Sequence, residues 1–151
     1  MGNHVPVPCV FMNLCMVCNG SKILMLDKVK GSVTGLTFPG GHVEKDEMFA
    51  DAVIREVYEE TGLMIYSPRQ CGIYDWIKDG VRYVGLLYCA DKFSGSLKSS
   101  DEGEVFWVEF NELKNLPLIN DLRELLNIFC GKGYSELFCK PDGDGWDKML
   151  K

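Results

Sequence analysis

The order of apolar and polar residues predicts a chain of short strands interrupted by two helices. Residues 9–17 form an apolar run rich in strand formers, and Asn19-Gly20 is a hairpin signal before a returning strand at residues 23–26. The polar segments 28–35 and 91–104 are predicted loops. The other predicted strands are residues 36–38, 70–77, 81–90 and 105–110, and a tight turn at Asp79-Gly80 joins the middle two.

Two segments change from the strand period to the helical period. Residues 46–61 are predicted to form a helix, with Asp46 as its N-cap and Gly62 as the glycine that ends it. Residues 121–129 are predicted to form a second, amphipathic helix. Two helices interleaved with about six strands indicate an α/β fold, in which helices pack on a mixed β-sheet.

Length and charge narrow the class of protein. The 151 residues fit one domain, residues 1–151, that can bury a hydrophobic core. The formal net charge of −6 argues against a binder of nucleic-acid polymers, and an anionic small ligand would need a cation to offset the repulsion. No apolar stretch is long enough to span a membrane and no secretion signal is evident, so a cytoplasmic location is expected. A homodimer is left open, because no sequence pattern indicates the oligomeric state.

The cysteines are predicted to be structural thiols, and the role of the tail after Gly131 stays open. Seven cysteines are an odd, scattered set, which favours reduced thiols over a disulfide framework. Cys15 and Cys18 have the spacing of metal ligands, but residues three apart on a strand point to opposite faces. In the Gly-rich tail after Gly131, residues 142–145 are predicted to form a turn, because the other ligands of a calcium loop are absent.

The first predicted helix breaks its own amphipathic pattern. Phe49 and Val53 mark an apolar stripe, and Glu60 intrudes into it, while Glu56 and Glu59 lie beside it. A solvated acidic face is one interpretation. However, like charges at this spacing destabilise a helix, and a carboxylate at the edge of a buried face is costly to desolvate. A hard divalent cation would remove both problems, and oxygen-only ligands favour Mg²⁺ or Mn²⁺.

These carboxylates belong to a longer motif, Gly41-x5-Glu47-x7-Arg55-Glu56-Val57-x-Glu59-Glu60-x-Gly62-Leu63. The motif resembles the signature of the Nudix hydrolase family at all nine specified positions over 23 residues. The resemblance implies a Nudix-type α/β/α sandwich and a pyrophosphohydrolase that cuts a phosphoanhydride bond. Its cofactor would be Mg²⁺, with Mn²⁺ as a possible substitute.

The resemblance also implies roles for individual residues. The implied metal ligands are the carbonyl of Gly40 or Gly41 and the carboxylates of Glu56, Glu59 and Glu60, of which Glu56 is the favoured general base. Arg55 is expected to pair with Glu47 and to hold the loop against the helix. A further acidic ligand or base is expected just before the strand at residue 105. Glu102 is favoured over its neighbours Asp101 and Glu104, although a solvated loop carboxylate is an equal alternative for each.

Positions outside the motif resemble the MutT branch, which hydrolyses oxidised nucleoside triphosphates such as 8-oxo-dGTP to the monophosphate and pyrophosphate. Lys28 and Arg82 would contact the nucleotide, and Asn120 would read the purine edge because its amide both donates and accepts. Phe38 would stack on the base. Each has a structural alternative: Lys28 and Arg82 as surface charges, Phe38 as a core residue, and Asn120 or Asp121 as a helix N-cap.

Other substrates and a non-enzymatic role stay open. ADP-ribose enzymes usually carry a proline some fifteen residues after the motif, where this chain has Lys78 or Asp79. Nucleotide sugars, capped RNA ends and dinucleoside polyphosphates are further alternatives. A non-catalytic nucleotide-binding module is the alternative from another class, but such modules typically lose metal-ligand glutamates that this motif retains.

Overall fold

The computed structural model describes residues 2–151. The strands are β1 (Cys9–Asn19), β2 (Lys22–Lys28), β3 (Gly35–Thr37), β4 (Leu63–Tyr66), β5 (Arg69–Lys78), β6 (Val81–Ala90), β7 (Lys92–Gly95), β8 (Gly103–Glu109), β9 (Glu136–Asp142) and β10 (Gly145–Leu150). The helices are α1 (Phe49–Thr61), a 3₁₀ helix (Phe110–Asn115) and α2 (Leu122–Phe129). None of the helices within residues 2–151 has the length and apolar character to cross a membrane.

The strands form one large mixed sheet and one small ribbon. The order in the large sheet is β10-β9-β5-β6-β1-β2-β3, and β8 pairs with β2 along the edge opposite to β1 and β3. The pairs β1–β6 and β5–β9 are parallel, and the other pairs in this sheet are antiparallel. The two predicted hairpins, β1–β2 and β5–β6, are both present. The prediction of a mixed sheet is confirmed.

The two helices cover opposite faces of the large sheet. On β1, Cys15 and Val17 pack in the core under α1, while Met16 packs in the core under α2. Cys18 packs against the α2 side, so Cys15 and Cys18 lie on opposite faces as predicted. The alternation of strand side chains therefore builds two cores, and the α/β/α sandwich is confirmed.

The prediction that Asp46 caps the first helix is wrong. Helix α1 begins at Phe49, with Met48 as N-cap, and Asp46 has a positive φ of 67°. The residues before the helix turn because the Glu47 carboxylate accepts from the Glu44 amide at 3.0 Å and from Arg55. Glu47 therefore organises a loop instead of a first helical turn. The predicted end is correct, because Gly62 adopts the left-handed conformation with φ of 75°.

Two segments predicted as irregular contain strands. Within residues 91–104, β7 pairs with β4, a strand that the patterns did not indicate, and β8 begins at Gly103. In the tail, β9 and β10 form a hairpin around the predicted turn at residues 142–145. Leu137 and Cys139 are buried and alternate with more accessible neighbours, which is the two-residue period of a strand with one face on a core.

Candidate active site

An open acidic pocket of about 280 Å³ lies where three loops meet the side of α1. Its floor is the glycine pair Gly40-Gly41, which follows β3. Lys28 enters from the end of β2, and the loop before β8 closes a further side. The carboxylates that line the pocket are Glu56, Glu59 and Glu60 of α1 and Asp101 and Glu102 of the loop. The structure thus brings together most of the predicted site residues.

Glu60 is the most deeply buried of these acids. The residue is 4% exposed, and its Oε2 accepts a hydrogen bond from the Gly40 amide at 2.8 Å. Burial raises the pKa of Glu60 to about 7, against the opposing effects of the Gly40 amide and of Lys28. Burial also raises the pKa of Glu56, which is partly offset by Arg55. Glu60 is therefore poised to exchange a proton near neutral pH.

Arg55 braces the motif, as the predicted pair with Glu47 requires. Its Nε donates to Glu47 Oε1 at 2.8 Å and its Nη2 to Glu47 Oε2 at 3.0 Å, a two-pronged contact that lowers the pKa of Glu47 to about 2. Its Nη1 donates to Glu56 at 2.9 Å and to Glu59 at 3.3 Å. Because these two carboxylates turn to Arg55 while Glu60 turns to Gly40, no three acidic, histidine or cysteine side chains of residues 2–151 converge into a ready-made metal site.

The glycine pair is fixed by β1 on one side and by α1 on the other. The amide of Cys15 donates to the Pro39 carbonyl at 2.9 Å, and the amide of Asn13 donates to the Gly41 carbonyl at 2.8 Å. A Cβ on Gly40, whose φ is 155°, would lie 2.2 Å from the Asn13 carbonyl oxygen, and a Cβ on Gly41 would lie 2.5 Å from the Glu56 carboxylate. Gly40 therefore requires glycine, whereas a Cβ on Gly41 would have to displace the Glu56 carboxylate.

The same contacts distinguish the two carbonyls predicted as metal ligands. The Gly41 carbonyl already accepts from Asn13, whereas no donor within residues 2–151 contacts the Gly40 carbonyl. The Gly41 amide donates to the Asn13 side-chain oxygen at 3.2 Å. In a trans peptide the carbonyl points away from the following amide, so the Gly40 carbonyl faces away from Asn13. Gly40 is thus the better candidate for a backbone ligand.

The acidic loop residues separate by position. Glu102 is half-buried in the pocket, and its carbonyl anchors the loop by accepting from the Val29 amide at 2.8 Å. Asp101 also borders the pocket, but its carboxylate is paired with Lys30 at 2.5 Å. Glu104 is exposed and does not line the pocket. Among these three acids, Glu102 is the one that borders the pocket and forms no salt bridge within residues 2–151.

The structure does not support two of the predicted substrate contacts. Phe38 is 1% exposed and packs edge-on against Phe129 with ring centroids 5.2 Å apart, so it cannot stack on a base. Arg82 lines a different cavity, where its guanidinium is held by the buried carboxylate of Asp75 and lies over the ring of Phe138. Phe38 thus takes the core position that the sequence offered as its alternative, and the contact of Arg82 with a nucleotide stays a prediction.

Asn120 and Asn13 differ from prediction in opposite ways. Asn120 is exposed in the turn before α2, has a positive φ of 43°, and does not line the acidic pocket. Its predicted contact with a base stays a prediction. Asn13 was not predicted as part of the site, yet it holds Gly41 through both its backbone and its side chain. The signal for Asn13 was its place as the polar residue within the apolar run 9–17.

Comparison with known proteins decides the family. The family model that describes the NUDIX domain matches residues 13–128 of this sequence, which is most of the chain. The chain belongs to the Nudix family. The uncharacterized Nudix hydrolase YvcI of Bacillus subtilis is 34% identical over 110 residues, covering 69% of this chain and 68% of the relative. An ADP-ribose pyrophosphatase of Methanocaldococcus jannaschii is 33% identical over 100 residues, covering 64% of this chain and 58% of the relative.

Solved structures agree on the fold of this Nudix hydrolase. A MutT protein from Bacillus halodurans superposes with a TM-score of 0.79 at 22% identity, covering 94% of this chain and 97% of the other. A MutT NUDIX hydrolase from Burkholderia pseudomallei gives 0.71 at 24% identity, covering 80% and 97%. The protein is thus a Nudix pyrophosphohydrolase that acts on substrates linked to a nucleoside diphosphate.

The buried carboxylate predicts an unusual dependence of stability on pH. Folding raises the pKa of Glu60 from 4.5 to about 7, so the folded state binds more protons than the unfolded state between these values. This group therefore makes the metal-free Nudix hydrolase more stable as pH falls from 7 to 5, by roughly 2 kcal/mol at 1.36 kcal/mol per pKa unit. Urea unfolding in EDTA at both pH values, on wild type and Glu60→Gln, isolates the effect. An equal pH slope in both proteins would contradict it.

Proposed function

We propose that this Nudix hydrolase uses a divalent cation, Mg²⁺ with Mn²⁺ as substitute, to hydrolyse a nucleoside triphosphate such as 8-oxo-dGTP to the monophosphate and pyrophosphate. The observation that carries the proposal is the acidic pocket on α1, in which several carboxylates, a free glycine carbonyl and Lys28 face one space. Such a pocket repels a polyphosphate unless a cation is bound. Lys28 alone is too little positive charge to offset the carboxylates.

The residues present fit a hard divalent cation. Every candidate ligand is an oxygen, and the candidates are Glu56, Glu59, Glu60, Glu102 and the Gly40 carbonyl. The raised pKa of the buried Glu60 marks a carboxylate whose charge lacks a full partner within the protein. When bound, the cation would neutralise charge on the phosphate oxygens and make an attacking water easier to deprotonate.

The protein itself positions the acids and the substrate. Arg55 orients Glu56 and Glu59 from one side, and the Gly40 amide orients Glu60 from the other. Lys28, half-buried at the end of β2, would contact a phosphate oxygen and help to align the leaving pyrophosphate. Arg55 acts through the carboxylates it holds, so it is a positioning residue, and Glu47 supports it.

Glu56 is the favoured general base. Its carboxylate lies where a Cβ on Gly41 would stand, at the floor of the pocket, and burial raises its pKa above the ordinary value, which makes it a stronger base. It would take the proton of the attacking water as the oxygen approaches phosphorus in line with the bond that breaks. Glu102 is the alternative base, from the opposite loop.

The proposed substrate is defined by the group that is linked to its nucleoside diphosphate. The resemblance of Lys28 and Asn120 to the MutT branch supports a nucleoside triphosphate. The 33% sequence identity to an ADP-ribose pyrophosphatase of Methanocaldococcus jannaschii supports ADP-ribose or a nucleotide sugar as the second candidate substrate. NAD-capped RNA hydrolases such as NudC of Haemophilus influenzae are also 36% identical over 92 residues, but the matched part is 34% of their length.

A panel of substrates tests the proposal. We expect wild type with Mg²⁺ to hydrolyse 8-oxo-dGTP to the monophosphate and pyrophosphate faster than it hydrolyses dGTP, the other deoxynucleoside triphosphates, or ADP-ribose and UDP-sugars, each of which would give two monophosphates. Glu59→Gln serves as the blank, because it keeps the size of a half-exposed side chain and removes its charge. Turnover of ADP-ribose or a sugar nucleotide alone would contradict the substrate and retain the chemistry. No Glu59-dependent turnover at all would favour a nucleotide-binding module.

A further inference from the structure

Asn13 is a buried polar residue beneath the glycine pair. It lies in the middle of β1, it is 4% exposed, and Cys15 and Val17 of the same strand face are fully buried. Its side-chain oxygen accepts the Gly41 amide at 3.2 Å, and its own amide donates to the Gly41 carbonyl at 2.8 Å. The amide and the carbonyl of Gly41 are therefore both hydrogen-bonded to Asn13.

The side chain of Asn13 contains a polar group that lowers the stability of the fold. Its Nδ2 is buried and has no hydrogen-bond partner among residues 2–151. A buried donor without a partner destabilises a fold, and an apolar side chain of the same shape would avoid the penalty. Since the neighbours on this face are apolar, leucine would suit the strand better. The position thus retains an amide for its acceptor atom rather than for stability.

That acceptor controls the orientation of the peptide between Gly40 and Gly41. A glycine pair can rotate this peptide with little steric penalty, because neither residue has a Cβ. Rotation by half a turn would direct the Gly40 carbonyl to Asn13 and the Gly41 amide into the pocket. The Asn13 oxygen accepts the amide only in the observed orientation, in which the Gly40 carbonyl faces away from β1.

We propose that Asn13 is a positioning residue of the metal site, whose side-chain oxygen keeps the Gly40 carbonyl turned towards the pocket. The inference rests on the proposed function, because it assigns the Gly40 carbonyl to the cation. Asn13 touches neither substrate nor cation. It acts through the peptide that it holds, from the strand on the far side of the glycine pair.

Direct binding of Mn²⁺, followed by electron paramagnetic resonance without nucleotide, tests the inference. Asn13→Leu keeps the shape and removes the acceptor, and we expect about 3- to 10-fold weaker Mn²⁺ binding, the equivalent of one lost hydrogen bond. The melting temperature of the metal-free variant should stay close to that of wild type, because the substitution removes the unsatisfied Nδ2 but also the acceptor of the Gly41 amide. Asn13→Asp keeps the acceptor and should bind Mn²⁺ at least as tightly as wild type. Asn127→Leu, which removes an asparagine bonded to the Glu124 carbonyl on α2, should not change binding.

The outcomes separate this inference from the proposed function. Unchanged Mn²⁺ binding by Asn13→Leu, or an equal loss in Asn13→Asp and Asn13→Leu, would overturn the role of Asn13 alone. A lower melting temperature of Asn13→Leu with normal Mn²⁺ binding would show a structural residue and would also overturn it. A wild-type protein that binds no Mn²⁺ would overturn the proposed function, and the role of Asn13 with it. If Asn13→Asp fails to fold, the comparison of Asn13→Leu with Asn127→Leu still decides the result.

Discussion

Glu60→Gln is expected to lower kcat about 100-fold or more at saturating Mg²⁺ while the protein remains folded. The amide has the size of the carboxylate, and its oxygen can still accept from the Gly40 amide. What it removes is the negative charge of the most buried acid in the pocket. A bound cation stabilises the charge of the transition state by several kcal/mol in reactions of this class. Loss of one carboxylate ligand should therefore slow the reaction strongly.

The control for this prediction separates charge at the site from charge elsewhere. Glu112 is exposed in the 3₁₀ helix, outside the pocket, and Glu112→Gln makes the same chemical change there. We expect it to retain wild-type kcat. Steady-state kinetics and circular dichroism on the three proteins give the answer. A folded Glu60→Gln protein with wild-type kcat would show that Glu60 holds no cation and that its burial is only structural.

Gly40→Ala is expected to have the second largest effect, a loss of activity of about 100-fold together with a marked loss of stability. The new methyl group would lie 2.2 Å from the Asn13 carbonyl oxygen, and the φ of 155° suits glycine rather than alanine. The loop must move away from β1 to relieve the overlap. Glu60 then loses the amide that orients it, because the Gly40 amide is its donor.

Gly20→Ala is the matched control for the backbone change. Gly20 has a positive φ of 59° in the β1–β2 hairpin, and a Cβ there would meet no atom within 4 Å. It therefore carries the conformational penalty without the collision, and we expect about 1 kcal/mol of lost stability and normal turnover. Melting temperatures and kcat of both variants separate the two effects. Wild-type turnover by Gly40→Ala would contradict a fixed glycine floor.

The part of the site that lies close together in sequence was predictable. The spacing of the α1 carboxylates, the end of the helix at Gly62 and the pair of Arg55 with Glu47 all depend on contacts within the 23 residues of the motif. Helical geometry places the carboxylates on one side of α1, whereas the pair of Arg55 with Glu47 was implied by the resemblance of the motif to the Nudix signature. The two hairpins were also predictable, because turns such as Asp79-Gly80 fix their partners locally.

Contacts between distant parts of the chain were not predictable from these patterns. Phe38 lies next to the glycine pair in sequence, but its ring turns into the core and meets Phe129 of α2. The guanidinium of Arg82 is paired with the carboxylate of Asp75, which lies seven residues earlier on the neighbouring strand. Asp75 is 1% exposed. The β9–β10 hairpin depends on parallel pairing of β9 with β5, which no local turn signal encodes. Single-sequence periodicity carries no information on such partners.

The central claim is that the acidic pocket hydrolyses a phosphoanhydride only when a divalent cation is bound. Phosphorus nuclear magnetic resonance of the substrate preferred in the panel, with purified protein, tests it most directly. With Mg²⁺ we expect the signals of the diphosphate linkage to be replaced by those of a nucleoside monophosphate and the other product, and we expect EDTA to stop the conversion until Mg²⁺ is restored. Conversion that continues in EDTA, or that continues in Glu60→Gln at the wild-type rate, would contradict the account.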